Sequence, residues 1–526
     1  MNTHRGVNIH DEGLVRLEKL SALRAAGVEP YPARAKRTHT VMQALALREG
    51  ETGTIAWRLL TKREMGKIMF CHLLDDSGRM QIALKKDKMD ESLYALFAKK
   101  IDAGDFISVT GLRFVTQKGE PSILVKSWTL LAKALLPLPE KWHGLTDTES
   151  RFRKRYLDLI MDESVKDRMV TRSRIISFIR QFLDTRGFVE VETPTLQPVY
   201  GGGFAKPFAT HHNALDVDFY LRISDEMYLK RLIGGGFERV YEITKVFRNE
   251  GIDHDHNPEF TMFEAMIAYE DYRYGMDMIE EIVEGAARAT LGTTEIRHGE
   301  RIVNVARPWK RMSVIEAVRE VGGLDVDEWQ TLAGAKHSLL PHLKTEKRRE
   351  LERMQSIGEV TAFAFEELVE EKLIQPTIIY DYPVEVSPLA KRAEDARFTE
   401  RFEAFALGSE ISNNYSELND PVELESRFIE EKKKEAAGFD EAHQTDYDYL
   451  EAIKHGMPPT CGIALGIDRV IMLLSGVASI KEVILFPTLR PLGHEETTHG
   501  KAKETLVAHA VILEGAGIPL WSKLNA

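Results

Sequence analysis

Side chains suited to phosphate or carboxylate chemistry gather in a few separated segments of the sequence. Arg248, Asn249 and Glu250 follow Phe247, and His256, Asn257, Phe260 and Glu264 come shortly behind them. Glu403 and Glu410 stand seven residues apart in Arg401-Phe-Glu403 and Gly408-Ser-Glu410-Ile411. Nearer the C-terminus, Gly462-Ile-Ala464-Leu-Gly466-Ile-Asp468-Arg469 leads into the apolar run Val470–Leu474. Upstream of all of these, Arg186-Gly-Phe188-Val-Glu-Val191-Glu-Thr-Pro194 reads as a helix end running into a short strand that stops at proline. A guanidinium is a planar fork for phosphate or carboxylate, and carboxylates are the hard oxygen ligands of divalent cations. Taken singly, each arginine reads as half of a surface salt bridge and each glutamate as a solvated carboxylate. The familiar phosphate loops are missing: no glycine-rich loop ends in Gly-Lys-Ser/Thr, and Gly201–Gly203 and Gly234–Gly236 match no Gly-x-Gly-x-x-Gly. A nucleotide would have to be held by another route.

In order and spacing, three of these segments resemble the motifs of class II aminoacyl-tRNA synthetases. The resemblance implies activation of a carboxylic acid by ATP. The carboxylate attacks the α-phosphorus in line and pyrophosphate leaves, so positioning and charge stabilisation carry the rate without a general base. Carried over by motif, Arg248 bridges the substrate carboxylate and the α-phosphate. Glu250 reads the adenine amino group, Phe260 stacks on the ring, His256 approaches the γ-phosphate and Arg469 covers the opposite side. Asn249, Asn257, Ile411, Gly466 and Asp468 complete the expected ATP site. Glu403 and Glu410 match the acids that hold Mg²⁺, up to three ions with ATP.

Further segments narrow the resemblance: Pro207-Phe-x-x-His211-His212-Asn213, Tyr228-Leu-Lys230-Arg231-Leu232, Ser416-Glu417-Leu418-Asn419-Asp420 and Pro458-Pro459-Thr460. These look like class II lysyl-tRNA synthetases, and the likeness runs from about residue 14 to 491. A substrate ammonium in a closed pocket needs acidic partners. By resemblance, Glu226 and the backbone at Gly202 hold the α-amino group, and Glu264 and Glu417 serve the ε-ammonium. Tyr415 packs on the aliphatic stem, and Asn413 orients the substrate. Three positions depart from the family pattern: Met266 replaces a tyrosine, Gly203-Phe204 replaces alanine and a small residue, and Ala464 replaces a glycine. Alanine at that last position is what the ligases that lysylate elongation factor P carry, and those prefer β-lysine.

The elements that must position these side chains can be read from pattern. Leu14, Leu17, Leu20 and Leu23 predict an amphipathic helix over 14–27, ended by Gly27. Strands are predicted at Thr54–Leu60, Lys67–Leu74, Arg79–Leu84, Phe106–Val115 and Ser122–Leu131. One helix interrupts them, Asp90 to Ile101, capped by Asp90 with Leu93, Leu96 and Phe97 on one face. That is the order of an OB-type barrel. Met80, Ile82 and Leu84 point inward and Gln81 outward. The expected fold class is therefore α+β: an OB-fold barrel followed by a class II catalytic domain, an antiparallel sheet with flanking helices. The expected division is a helical extension over 1–50, the barrel over 51–135, a linker over 136–162, the catalytic domain over 163–490, and a tail over 491–526 with a helix around Thr505–Leu513.

The barrel decides the expected acceptor, because the translation-factor ligases resemble the catalytic half alone. Arg63, Phe70, Gln81 and Glu120 match the family's anticodon-reading positions, which implies tRNA-Lys. A ring can stack an unpaired base while amide and charged groups read its edges. Trp57 stands where a glycine usually precedes the arginine of the first strand, here Arg58. Net charge is -12, yet phosphate contacts need only a local basic surface. The basic stretches Arg34–His39 and Arg151–Arg155 each read as solvated faces. Cys71 and Cys461 are far apart and form no metal-spaced pair. No apolar stretch approaches the roughly 20 residues that span a bilayer, so a cytoplasmic location is expected. The leading reading is a homodimeric lysine–tRNA ligase, paired through the first motif around Pro194. Two others stay open: a ligase moving lysine or β-lysine to another acceptor, and a catalytically silent tRNA-binding paralog. Intact Arg248, Glu403, Glu410 and Arg469 speak against the last.

Overall fold

The computed structural model describes residues 9–139, 147–203, 205–436 and 446–492. They fall into two compact units, divided between Thr146 and Asp147.

In the first unit, β1 (Thr52–Met65), β2 (Ile68–Asp75), β3 (Gly78–Lys85), β4 (Phe106–Val115) and β5 (Pro121–Ala132) close a barrel in the order β1-β2-β3-β5-β4. Met80, Ile82 and Leu84 are buried inside it, as their alternation predicts. β1 runs beyond the predicted end at Leu60, because Lys62, Arg63 and Glu64 continue the ladder against β2 up to the turn at Gly66. Helix α1 (Ile9–Ala25) starts and ends earlier than predicted, burying Leu20 and Leu23 while leaving Leu14 exposed. Helix α2 (Glu91–Lys100) is capped by Asp90, whose carboxylate accepts from the Ser92 and Leu93 amides. Its core face is Tyr94 and Phe97, with Leu93 and Leu96 half-buried beside it. Phe97 meets Trp128 edge to face at 5.5 Å, which selects that face.

The second unit is built on eight strands: β6 (Val189–Glu190), β7 (Arg239–Phe247), β8 (Glu259–Ala268), β9 (Lys310–Ser313), β10 (Thr377–Pro383), β11 (Phe398–Ala406), β12 (Ser409–Ser416) and β13 (Thr460–Gly466). Their order is β9-β10-β11-β12-β13-β8-β7-β6, antiparallel through the middle and parallel at both edge pairs. Helices α3 (Glu163–Asp184), α5 (Tyr272–Leu291) and α6 (Ile467–Ser475) bury one face, with Ile175, Ile179, Ile279 and Ile471 packed against Phe263, Ile463 and Leu465. The opposite side carries α4 (Glu226–Gly234).

The unit begins inside the stretch assigned to a linker, with two short helices, Thr148–Arg153 and Arg155–Met161. Here the basic run is only partly a solvated face: Lys154 is exposed, but its neighbours turn inward. Arg155 is fully buried, donating to the carbonyls of Lys481, Ile484 and Leu485 and to Asp158. Arg151 pairs with Asp158 and Glu482. The expected helix around Thr505–Leu513 lies outside the described residues.

Candidate active site

Register assembles the site. Across the central strands Glu403 faces Asn413, Tyr415 faces Gly462, and Ala464 and Gly462 face Glu264 and Met266. Because strand side chains alternate, all of them share one face of the sheet. Helix α4 adds Glu226, and the turn between β7 and β8 adds Arg248, Glu250 and His256.

These residues enclose a cavity of about 340 Å³. Its wall holds Gly202, Glu226, Arg248, Glu264, Asn413 and Tyr415 of the expected amino-acid site, and Glu250, His256, Asn257, Phe260, Glu410, Ile411, Gly466, Asp468 and Arg469 of the expected nucleotide site. Four expected residues are not on the wall: Asn249, Met266, Glu403 and Glu417. Asn249 is exposed on the turn, while the other three are buried behind the surface. Phe204 lies outside the described residues.

The nucleotide side joins distant segments. Arg469 donates to the Glu410 carbonyl at 2.7 Å and stands 3.3 Å from His256 Nε2. The Arg248 guanidinium lies 5.2 Å from the centre of the Phe260 ring. Asp468 is positioned by both oxygens, one paired with Arg172 and the other accepting from the Thr261 amide at 2.7 Å. Glu403 accepts from Arg401 at 2.5 Å and from the Tyr382 hydroxyl at 2.8 Å. Arg401, which the sequence reading passed over, also donates to Asn413 at 3.1 Å and lies on the cavity wall. Its signal was its position two residues before Glu403, on the same strand face.

The amino-acid side is acidic and closely packed. Gly202 has φ 83°, and a Cβ there would stand 2.8 Å from Ser224 Oγ and 3.2 Å from the Glu226 Cβ. Ser224 donates to Glu264 at 2.8 Å, and Tyr415 donates to Glu226 at 2.6 Å. Burial, and next the charge of Glu226, pushes the Glu264 carboxyl up to about 7. Asp225 is pushed well up as well, by burial first and then by Glu264. Lys230 is fully buried and forms ion pairs with both Glu226 and Glu417. Burial alone would drive its ammonium toward neutrality, but the two carboxylates outweigh that and keep it charged.

The family described as tRNA synthetases class II (D, K and N) matches residues 147–490, and an OB-fold nucleic acid binding domain matches residues 54–131. A lysine–tRNA ligase of Carboxydothermus hydrogenoformans is 49% identical, covering 91% of this chain and 97% of its own. Those of Enterococcus faecalis and Bacillus subtilis are 47% and 46% identical over 92% and 93% of this chain, and 98% and 99% of theirs. The chain belongs to the class II lysine–tRNA ligase family.

The expected anticodon residues lie on the barrel of the first unit. Arg63 is paired with Phe70 across β1 and β2, and His72 with Gln81 across β2 and β3. Arg63 is exposed and Phe70 half-buried. Gln81 faces outward as expected but is covered, donating to Glu120 at 2.7 Å and accepting from Ser122 at 2.9 Å. His72, missed in the sequence, contacts Glu120 at 3.2 Å and Thr61 at 2.8 Å. Its signal was the alternation of Phe70 and His72 with buried Met69, Cys71 and Leu73. Trp57 packs edge to face on Phe106 at 5.8 Å, over which Arg58 also lies.

Proposed function

We propose that the chain joins L-lysine to tRNA-Lys in two steps at this cavity. In the first, a lysine carboxylate oxygen attacks the α-phosphorus of ATP. The bond to the bridging oxygen breaks, and pyrophosphate leaves lysyl-adenylate behind. Arg248 would hold the carboxylate and the α-phosphate together, Phe260 and Glu250 the adenine, and His256 and Arg469 the outer phosphates. In the second step a terminal ribose hydroxyl of the tRNA attacks the activated carbonyl carbon, an ester forms and AMP leaves. Glu226 and Glu264 would take the substrate ammonium groups, with Glu417 behind them. The observation that carries this reading is one cavity lined by Arg248, Arg469 and two buried glutamates from separate segments.

Glu403 and Glu410 would supply hard oxygen donors to Mg²⁺ from neighbouring antiparallel strands, Glu410 at the cavity wall and Glu403 behind it, once its carboxylate turns from Arg401 and Tyr382. The nearby Glu370 carboxyl is pushed up to about 8, by burial first and then by Glu403 and Glu410, a surplus of negative charge that suits a cation. Bound there, Mg²⁺ would offset phosphate charge.

The barrel face around Phe70 would read the anticodon. Exposed Val189, Leu196 and Val217 near the first motif support pairing of two copies there. No described helix is long and apolar enough to cross a membrane. A β-lysine-directed ligase is the second reading, favoured by Ala464 directly opposite Glu264. Pyrophosphate exchange with lysine, β-lysine and ornithine separates them. Exchange with lysine is expected; exchange with β-lysine alone would install the second reading.

A further inference from the structure

Lys230 is a charged side chain of the amino-acid pocket that the steps above leave without a task. It sits on α4 one turn after Glu226, with its side chain 0% exposed. Its ammonium bonds Glu226 and lies 2.5 Å from Glu417 Oε2, although neither Glu417 oxygen accepts an aligned hydrogen bond among the described residues. The rings of Tyr415 and Tyr449 flank it, with centres at 5.2 Å and 5.8 Å. A surface Glu–Lys pair one helical turn apart is worth little. This one is fully desolvated, so removing either partner leaves an unpaired buried charge.

The two carboxylates that Lys230 bridges come from different elements: Glu226, on the cavity wall, from α4, and Glu417, behind it, from the segment just after β12. On the lysine reading they serve opposite ends of the substrate, Glu226 the α-ammonium and Glu417 the ε-ammonium. One internal ammonium therefore sets the spacing between them. Its positive charge also offsets part of the negative charge that Glu226 and Glu417 bring to this end of the pocket.

We propose that Lys230 is a positioning residue that sets substrate length and charge: it tethers Glu226 to Glu417 so that the pocket fits an amino acid with a second ammonium at lysine's reach. This rests on the lysine reading of the same cavity.

The test is pyrophosphate exchange by the full chain with lysine and with ornithine, comparing Lys230→Met, Lys230→Ala and Lys230→Arg. In Lys230→Met the KM for lysine is expected to rise about tenfold or more, and the preference for lysine over ornithine to shrink by a similar factor, as for a broken buried ion pair. KM for ATP is expected to stay within roughly twofold, because the nucleotide wall is untouched. Lys230→Ala should regain its lysine KM when n-propylammonium is supplied, and not when 1-propanol is. Lys230→Arg keeps the charge with a different reach, and its lysine-to-ornithine ratio should shift. An unchanged ratio in Lys230→Met or Lys230→Arg, or equal rescue by the alcohol, would overturn the proposal while leaving the lysine reading in place. No lysine exchange in the unaltered chain would overturn both.

Discussion

The Tyr415 hydroxyl donates to Glu226 Oε1 at 2.6 Å, joining residues 189 positions apart in the chain. The bond fixes the carboxylate proposed to take the substrate's α-ammonium. Tyr415→Phe removes it without changing the ring. A lost hydrogen bond to a buried charge costs about 1.5–3 kcal/mol, so KM for lysine should rise about 10-fold or more. KM for ATP should hold, and exchange kinetics at varied lysine and ATP check both.

Glu264 gives the reaction a pH dependence. Its carboxyl, pushed up to about 7 by burial first and by Glu226 next, keeps its proton below that value and cannot pair with an ammonium. Affinity for lysine should therefore increase as pH rises through about 7. The sign for stability is opposite. A carboxyl whose folded pKa is raised above its unfolded value of 4.5 makes the empty protein less stable as pH climbs from there to about 7. Lysine KM measured across roughly pH 6 to 8.5 at saturating ATP should fall; Glu264→Gln should flatten the slope around 7 and leave the part due to Glu417, whose carboxyl burial pushes up to about 8.

Gly462 is held to its size by one acid, Glu417, and the sulfur of Met266. A Cβ there would stand 2.0 Å from Glu417 Oε1 and 3.1 Å from Met266 Sδ. Gly462→Ala should displace Glu417 and cost about 1–3 kcal/mol of stability, as overpacking does. Chemical denaturation and lysine exchange should both record the loss.

Phe70 separates tRNA recognition from activation. Phe70→Ala should leave lysine exchange unchanged and raise KM for tRNA-Lys by the stacking free energy of one base, about 1–3 kcal/mol. Charging assays at varied tRNA beside exchange assays would show the split, and equal loss in both would contradict the assignment.

The barrel was legible in the sequence because its strands alternate: Met80, Ile82 and Leu84 are buried in the positions their period dictates. The cavity was legible through short segments whose residue types and order resemble a family. What escaped were contacts between residues far apart in sequence. Arg155 sits in a charge run that looks solvated, and only carbonyls more than 320 residues away make it a buried anchor. Lys230 and Glu226 look like an ordinary surface pair one turn apart, and only packing against Glu417 makes them part of a pocket. Gln81 points outward as its alternation requires, yet Glu120 folds over it from another turn. Local pattern predicts direction; tertiary contact decides exposure.

Charging of tRNA-Lys with radiolabelled lysine and ATP, with β-lysine and ornithine in parallel, decides whether this cavity makes lysyl-tRNA. Lysine should give an ester-linked product, lost together with exchange in Arg248→Ala. Charging with β-lysine in preference to lysine, or lysine exchange with no charging of tRNA-Lys, would contradict it.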